Sequence, residues 1–271
     1  RIGNYFLEET LHKSEFGKIK LGIHTDSQQK FAIDVIKRNK VGEKISSVNQ
    51  QIDILSSLKH PNIIKLIDTI NTTKRIGIVL EYASGGDLFE YVLSRHSLEE
   101  EEAAKLFAQL INSVKYMHLK GVVHRDLKLE NILFSDQEKT KLIVTNFGFA
   151  NNEKKDLLST SCGSPTYAAP ELVFLETNGY HGPTADIWSC GVILYCMLCG
   201  YLPYDDDPEN PESQNFHQLY RYIRTSTLSF PPYVSDKAQD LLRGMLHPDP
   251  SKRCTMDFIT HHPWLSLYHD E

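Results

Sequence analysis

The feature that most constrains this chain is a change of hydrophobic period around Ser84-Gly85-Gly86. Before it, apolar residues alternate or run in short blocks between polar turns; after it, they recur every three or four residues. Residues 5–11, 17–23 and 30–36 read as strands, with His24-Thr25-Asp26-Ser27 as a turn. Val48, Ile52, Leu55 and Leu58 mark one helix ended by His60-Pro61, and residues 63–70 and 75–82 read as two more strands. Past the glycines, Ser97-Leu98-Glu99-Glu100 reads as a capping box, with acidic residues at the positive end of the helix dipole. The apolar stripe of that helix is Ala103, Leu106, Phe107, Leu110, Val114 and Met117. Residues 185–198 are apolar almost all round, which predicts a central helix, and helical patterns recur at 216–225, 236–246 and 256–260. The pattern predicts an α+β fold in one domain over 1–271. A small β-rich lobe with one helix (1–82) joins a larger α-helical lobe (87–271) through a hinge at 81–86.

Composition narrows the function classes. The 41% hydrophobic content of 271 residues is ample for a buried core. A net charge of −6 gives no reason to expect nucleic acid or an anionic membrane as partner. The apolar runs fall short of a membrane span of about 20 residues, and the first residues carry no signal-peptide pattern. Three of the five cysteines fall in the apolar helical stretch, which reads as reduced thiols in an intracellular protein, cytoplasmic or nuclear. The twelve histidines show no metal-ligand spacing. The abrupt start at Arg1 reads as a domain cut from something longer.

The chemistry is carried by His124-Arg125-Asp126-Leu127-Lys128-Leu129-Glu130-Asn131, followed by Asn146-Phe147-Gly148, Ala169-Pro170-Glu171 and Asp186-Ile187-Trp188. In order and spacing these match the H-R-D-L-x-x-x-N, D-F-G and A-P-E signatures, and the chain resembles protein kinases over essentially its whole length. The likeness is nearest to serine/threonine kinases of the calmodulin- and AMP-activated-kinase-like group. Thr160-Ser161-Cys162-Gly163-Ser164-Pro165 with Tyr167-Ala168-Ala169-Pro170-Glu171 resembles that group's activation segment. The insert Asp205-Asp206-Asp207-Pro208-Glu209-Asn210-Pro211 resembles a fungal branch of it.

The resemblance implies a bilobal protein-kinase fold and a role for each matching position. Asp126 would accept or orient a substrate hydroxyl, Lys128 would offer positive charge to the transferring phosphoryl group, and Asn131 would hold a second magnesium. Ile19, Ala32 and Leu133 would sandwich adenine, with Leu80 as gatekeeper and Glu81-Tyr82-Ala83 as hinge. His124, Phe147, Leu55 and Leu66 would form the apolar column coupling the lobes. Glu171 and Arg253 match a buried ion pair, and Asp186 an anchor of the catalytic loop. Asp87 and Glu130 match acidic positions that select basic residues in a substrate, or they are solvated surface groups. Thr160 would be phosphorylated by an upstream kinase and pair with Arg125, or it is a plain loop hydroxyl.

The nucleotide half departs from the family. The glycine-rich loop aligns with Leu11-His12-Lys13-Ser14-Glu15-Phe16-Gly17, where His12 and Ser14 replace two glycines and only Gly17 survives. The strand tetrapeptide V-A-I-K is Phe31-Ala32-Ile33-Asp34, and the period of two puts Asp34 where the phosphate-binding lysine belongs. The helix glutamate that pairs with that lysine aligns with Gln51, and Asn146 replaces the metal-binding aspartate. Asp34 and Gln51 would either hydrogen-bond in place of the lost ion pair or stand as two solvated groups. ATP and magnesium binding, with Asn131 and Asn146 at the metal positions, are expected to be lost or severely reduced. The reading is a pseudokinase acting through a protein partner. The alternatives are an active serine/threonine kinase in which another lysine, Lys13, binds phosphate, and a pseudokinase that holds ATP without metal.

Overall fold

The computed structural model describes residues 1–152, 165–173, 181–205 and 215–268. The alternating segments form one antiparallel sheet from β1 (Tyr5–Lys13), β2 (Gly17–His24), β3 (Lys30–Lys37), β4 (Leu66–Asn71) and β5 (Arg75–Glu81), in the spatial order β1-β2-β3-β5-β4. β3 is the central strand. Ala32 pairs with Leu21 on one side and Leu80 on the other, and Asp34 with Ile19 and Ile78. The two-residue period therefore does place Ala32 and Asp34 on the same face.

Two details of this lobe differ from the sequence reading. A short helix, α1 (Arg38–Val41), and a tight turn at Gly42–Lys44 lead into the expected helix, α2 (Ile45–Ser57), so the lobe carries more than one helix. The strand expected from residue 63 begins only at Leu66, because the residues before it pair with the other lobe. Ile64 N–H donates to Val144 O at 3.0 Å, and Val144 N–H to Asn62 O at 2.8 Å. Apolar character marked that segment as buried without telling which lobe it would join.

Beyond the hinge come α3 (Leu88–Arg95), α4 (Glu100–Leu119), β6 (Val122–Val123), β7 (Ile132–Phe134), β8 (Leu142–Val144), β9 (Asn151–Asn152), α5 (Pro170–Val173), α6 (Gly182–Cys199), α7 (Phe216–Thr225), α8 (Asp236–Met245) and α9 (Met256–His261). β7 and β8 form a hairpin, and β6 pairs with β9. Glycine is required where the hinge leaves the sheet. A Cβ on Gly85 would lie 2.0 Å from Asp136 O, while Gly85 N–H donates to Phe134 O at 3.0 Å. The predicted stripe of α4 is wholly buried and packs against α6, whose Trp188 and Tyr195 are among the largest fully buried side chains. Each such side chain stabilises the fold by about 1.5–3 kcal/mol.

One expectation about the helical lobe, the capping box, is corrected. The cap of α4 is Glu99, not Ser97, and Glu99 makes no side-chain capping bond. Glu100 turns to tertiary partners instead, accepting from Ser235 N–H, Ser235 Oγ and Trp264 Nε1 at 2.6, 2.8 and 2.9 Å. By length and composition α6 could cross a membrane, but it is the buried core of this lobe. It also carries Cys196 and Cys199 in C-x-x-C spacing, both free. Burial pushes the Cys199 thiol up to about 12 and the Cys196 thiol higher, the opposite of a reactive pair. The result is an α+β bilobal arrangement with a cleft between the sheet and the helices.

Candidate functional site

The loop between β6 and β7 is built around a buried carboxylate. Asp186, on α6, accepts from the N–H groups of His124 and Arg125 and from His118 Nε2, each at 2.9 Å. Burial alone would raise this carboxyl; the bonds from His118 and the His124 N–H hold it below its ordinary value. Those two N–H bonds also fix Arg125 at φ +69°, a conformation rare for a large side chain. Asp126 is thereby turned inward and buried.

Around Asp126 the side chains close a polar network. Asn131 Nδ2 donates to Asp126 O at 2.7 Å and to Asp126 Oδ2 at 2.9 Å. Asn146 Nδ2 reaches Asn131 Oδ1 at 3.1 Å and Asp126 Oδ2 at 3.4 Å. Asn146 takes the left-handed backbone conformation that asparagine tolerates. Next to it, Phe147 meets the His124 ring edge-on at 5.0 Å. Phe147, His124 and Leu55 are buried and Leu66 half-buried, as expected of an apolar column between the lobes.

The cleft is a cavity of about 330 Å³. Leu11, Ile19, Ala32, Leu80, Ala83 and Leu133 line its apolar end, with Glu81 beside them, and Asp34, Gln51, Asn131 and Asn146 its inner end. Three predicted residues lie outside the lining. Asp126 sits behind it, joined through the two asparagines, and Lys128 precedes the turn at Leu129–Asn131, its carbonyl accepting the Asn131 N–H at 3.0 Å. Gly17 is also absent from the lining, because β2 starts there and presses against β3. A Cβ at Gly17 would lie 2.4 Å from Val35 O.

The β1–β2 turn enters the cleft by a route that the sequence did not disclose. Ser14 Oγ donates to Asp34 Oδ1 at 2.7 Å and accepts the Gly17 N–H at 3.0 Å. The N–H that a glycine loop would offer to phosphate is thus spent on pinning the turn to β3. Glu15 follows it inward, with Oε2 3.4 Å from where a Cβ on Gly148 would stand. Burial raises the Glu15 carboxyl; Lys44, 4.0 Å away, opposes the rise and Asp126 adds to it.

Charge in the cleft is one-sided. Among the described residues its lining holds Glu15, Asp34, Glu81, Asp87 and Glu130, and neither lysine nor arginine. Lys13 is exposed and outside it. Lys37 has the parity for the opposite side of β3; with Lys18, Lys20, Lys40 and Arg75 it lines a separate groove of about 480 Å³. Asp34 is 3% exposed, and burial pushes its carboxyl up to about 6 despite the opposing Ser14 bond.

The bond anticipated between Asp34 and Gln51 is not made. Asp34 takes Ser14, and Gln51 Oε1 is buried without a hydrogen-bond partner. The polar tie of α2 comes from its neighbour: Gln50 Nε2 donates to Asn151 Oδ1 at 2.8 Å and to Ala150 O at 3.3 Å. Asp87 and Glu130 both line the cleft, and Asp87 also caps α3 by accepting the Glu90 N–H at 2.8 Å. Arg253 grips Glu171 with two bonds of 2.7 and 2.8 Å. Thr160 and most of the activation segment and acidic insert lie outside the described residues.

Comparisons agree with this geometry. The family model described as protein kinase domain matches residues 5–265. Serine/threonine-protein kinase KIN4 of Saccharomyces cerevisiae is 47% identical over 274 residues, covering 97% of this chain and 34% of its own length. Fatty acyl-CoA synthetase and RNA processing-associated kinase 1 of the same yeast is 46% identical, covering 97% and 32%. CBL-interacting protein kinase 31 of Oryza sativa subsp. japonica is 40% identical, covering 97% and 58%. The chain thus spans about a third of the length of the two yeast relatives.

Proposed function

This chain belongs to the protein kinase family, serine/threonine type of the calmodulin- and AMP-activated-kinase-like group, and from that premise we propose that it is a pseudokinase with phosphotransfer lost or severely reduced, acting by binding a protein. One observation carries the reading: five carboxylates and no lysine or arginine among the described residues lining the cleft. ATP brings several negative charges to that surface. Two unit charges about 4 Å apart at an effective dielectric near 20 interact by roughly 4 kcal/mol. Turning one such attraction into a repulsion weakens binding by several powers of ten.

The residues present do not fit magnesium either. Asn131 Oδ1 and Asp126 Oδ2 accept from the Asn146 amide, and asparagine in place of the metal-binding aspartate offers no charge to offset a hard cation. The surfaces a protein partner would use are supported by Asp186 and by the Glu171–Arg253 pair, which need neither ligand. The partner is expected to be an intracellular protein, cytoplasmic or nuclear, and an upstream kinase would act on Thr160.

A second reading, an active serine/threonine kinase transferring the γ-phosphate of ATP to protein, draws on the names of the yeast relatives and on the retained Asp126, Lys128 and Asn131. Two measurements separate the readings. Thermal unfolding with millimolar ATP, with and without magnesium, tests binding, since a ligand at 100 times its dissociation constant adds about 2.7 kcal/mol. Radiolabelled phosphate transfer to a basic peptide, compared with Asp126→Asn, tests chemistry. Absence of shift and of transfer supports the pseudokinase; transfer that vanishes in Asp126→Asn overturns it.

A further inference from the structure

We propose that the cleft is a site for an organic cation, a flat heteroaromatic group carrying an ammonium that seats against Asp34 and Gln51. This rests on the preceding reading in that the site is not held by ATP. The apolar end is lined by Ile19 and Ala32 from the sheet and Leu133 from β7, the positions at which the family resemblance places a flat ring. The inner end has acceptors, and among the described residues of the lining there is neither lysine nor arginine. Asp34 is buried with one hydroxyl donor, Ser14, which leaves most of its lone pairs for another group. Gln51 lines the same cavity, is 7% exposed, and its buried Oε1 has no donor among the described residues.

A buried carbonyl oxygen without a donor costs the fold about 1–3 kcal/mol, and a buried carboxylate without a counter-charge costs more. A primary ammonium offers three donors and one positive charge, which meets both deficits together. Water would satisfy Gln51 but not the charge at Asp34. A metal ion is disfavoured by placement: among the described residues no three of the His, Cys, Asp and Glu groups cluster closely enough to ligate one. The cations on the other side of the sheet belong to a different groove and do not reach these acceptors. Asp34 thus replaces an anion receptor with a cation receptor while the ring slot stays as it was.

The test uses nucleosides that differ only in the charge they bring to the inner end. Binding of adenosine, ATP without magnesium, 5′-amino-5′-deoxyadenosine and its homologue with an aminopropyl arm is measured by calorimetry and thermal shift. At least one amine is expected to bind ten times or more tighter than adenosine, and ATP weaker than adenosine. Asp34→Asn, which keeps the size and the Ser14 contact, should bring the amines back to the level of adenosine. Gln51→Leu should weaken the amines several-fold more than it weakens adenosine. Amines no tighter than adenosine, or an advantage that survives Asp34→Asn, would overturn the proposal and leave the pseudokinase reading standing. ATP binding tightest, with phosphotransfer, would overturn both.

Discussion

Replacing Asp34 by asparagine should stabilise the protein at neutral pH, against the rule that buried polar substitutions destabilise. The carboxyl is held at about 6 in the fold, against an ordinary value of 3.8, with burial as the main cause and the Ser14 bond opposing it. The folded state therefore holds this proton more tightly than the unfolded chain does. Stability from this group is full below pH 3.8, falls as pH rises toward 6, and stays low above it. At 1.36 kcal/mol per tenfold change in proton affinity, the loss at neutral pH is about 3 kcal/mol. Asparagine keeps an oxygen for Ser14 Oγ and carries no charge, so the variant should recover most of that loss. For a chain of this length the gain corresponds to about 5 °C in Tm. Urea denaturation at several pH values provides the assay. The advantage of Asp34→Asn should be about 3 kcal/mol at pH 7.5 and roughly half that at pH 5. A variant less stable than the parent at pH 7.5, or an advantage that does not change with pH, would refute the reasoning.

Two other substitutions test the network and the scaffold. Asn146→Asp places a second carboxylate beside Asp126 Oδ2, now 3.4 Å from the Asn146 amide. Like charges there should lower Tm at neutral pH in the absence of divalent cations, and millimolar magnesium should recover part of the loss. Calorimetry with and without EDTA checks this, and an unchanged Tm would show that the amide bonds matter little. Glu171→Ala strands the Arg253 guanidinium, whose side chain is fully buried. Loss of one partner of a buried pair costs about 3–5 kcal/mol. Urea denaturation should show the midpoint fall, with a smaller fall in Glu171→Gln, which keeps an acceptor.

The sequence by itself determined the fold and the inventory of the site. Two-residue alternation around Ala32 and Asp34 fixed which face of β3 each would occupy, and the stretch from 185 to 198, apolar almost all round, marked a central helix. Those are local periodicities that hydrophobic burial rewards wherever the segment packs. What only the tertiary structure decided is where polar groups that suit several partners would spend their bonds. Ser14 reached Asp34 across a turn, Gln50 rather than Gln51 tied α2 to the residues after Gly148, and Glu100 abandoned its cap for Ser235 and Trp264. Asn62 and Ile64 joined β8 instead of extending β4. Hydrogen-bond donors and acceptors carry no period, and their partners lie 20 to 164 residues away along the chain. Spacing therefore named the residues of the cleft, and only their packing in three dimensions left Asp34 without a cation and Gln51 without a donor.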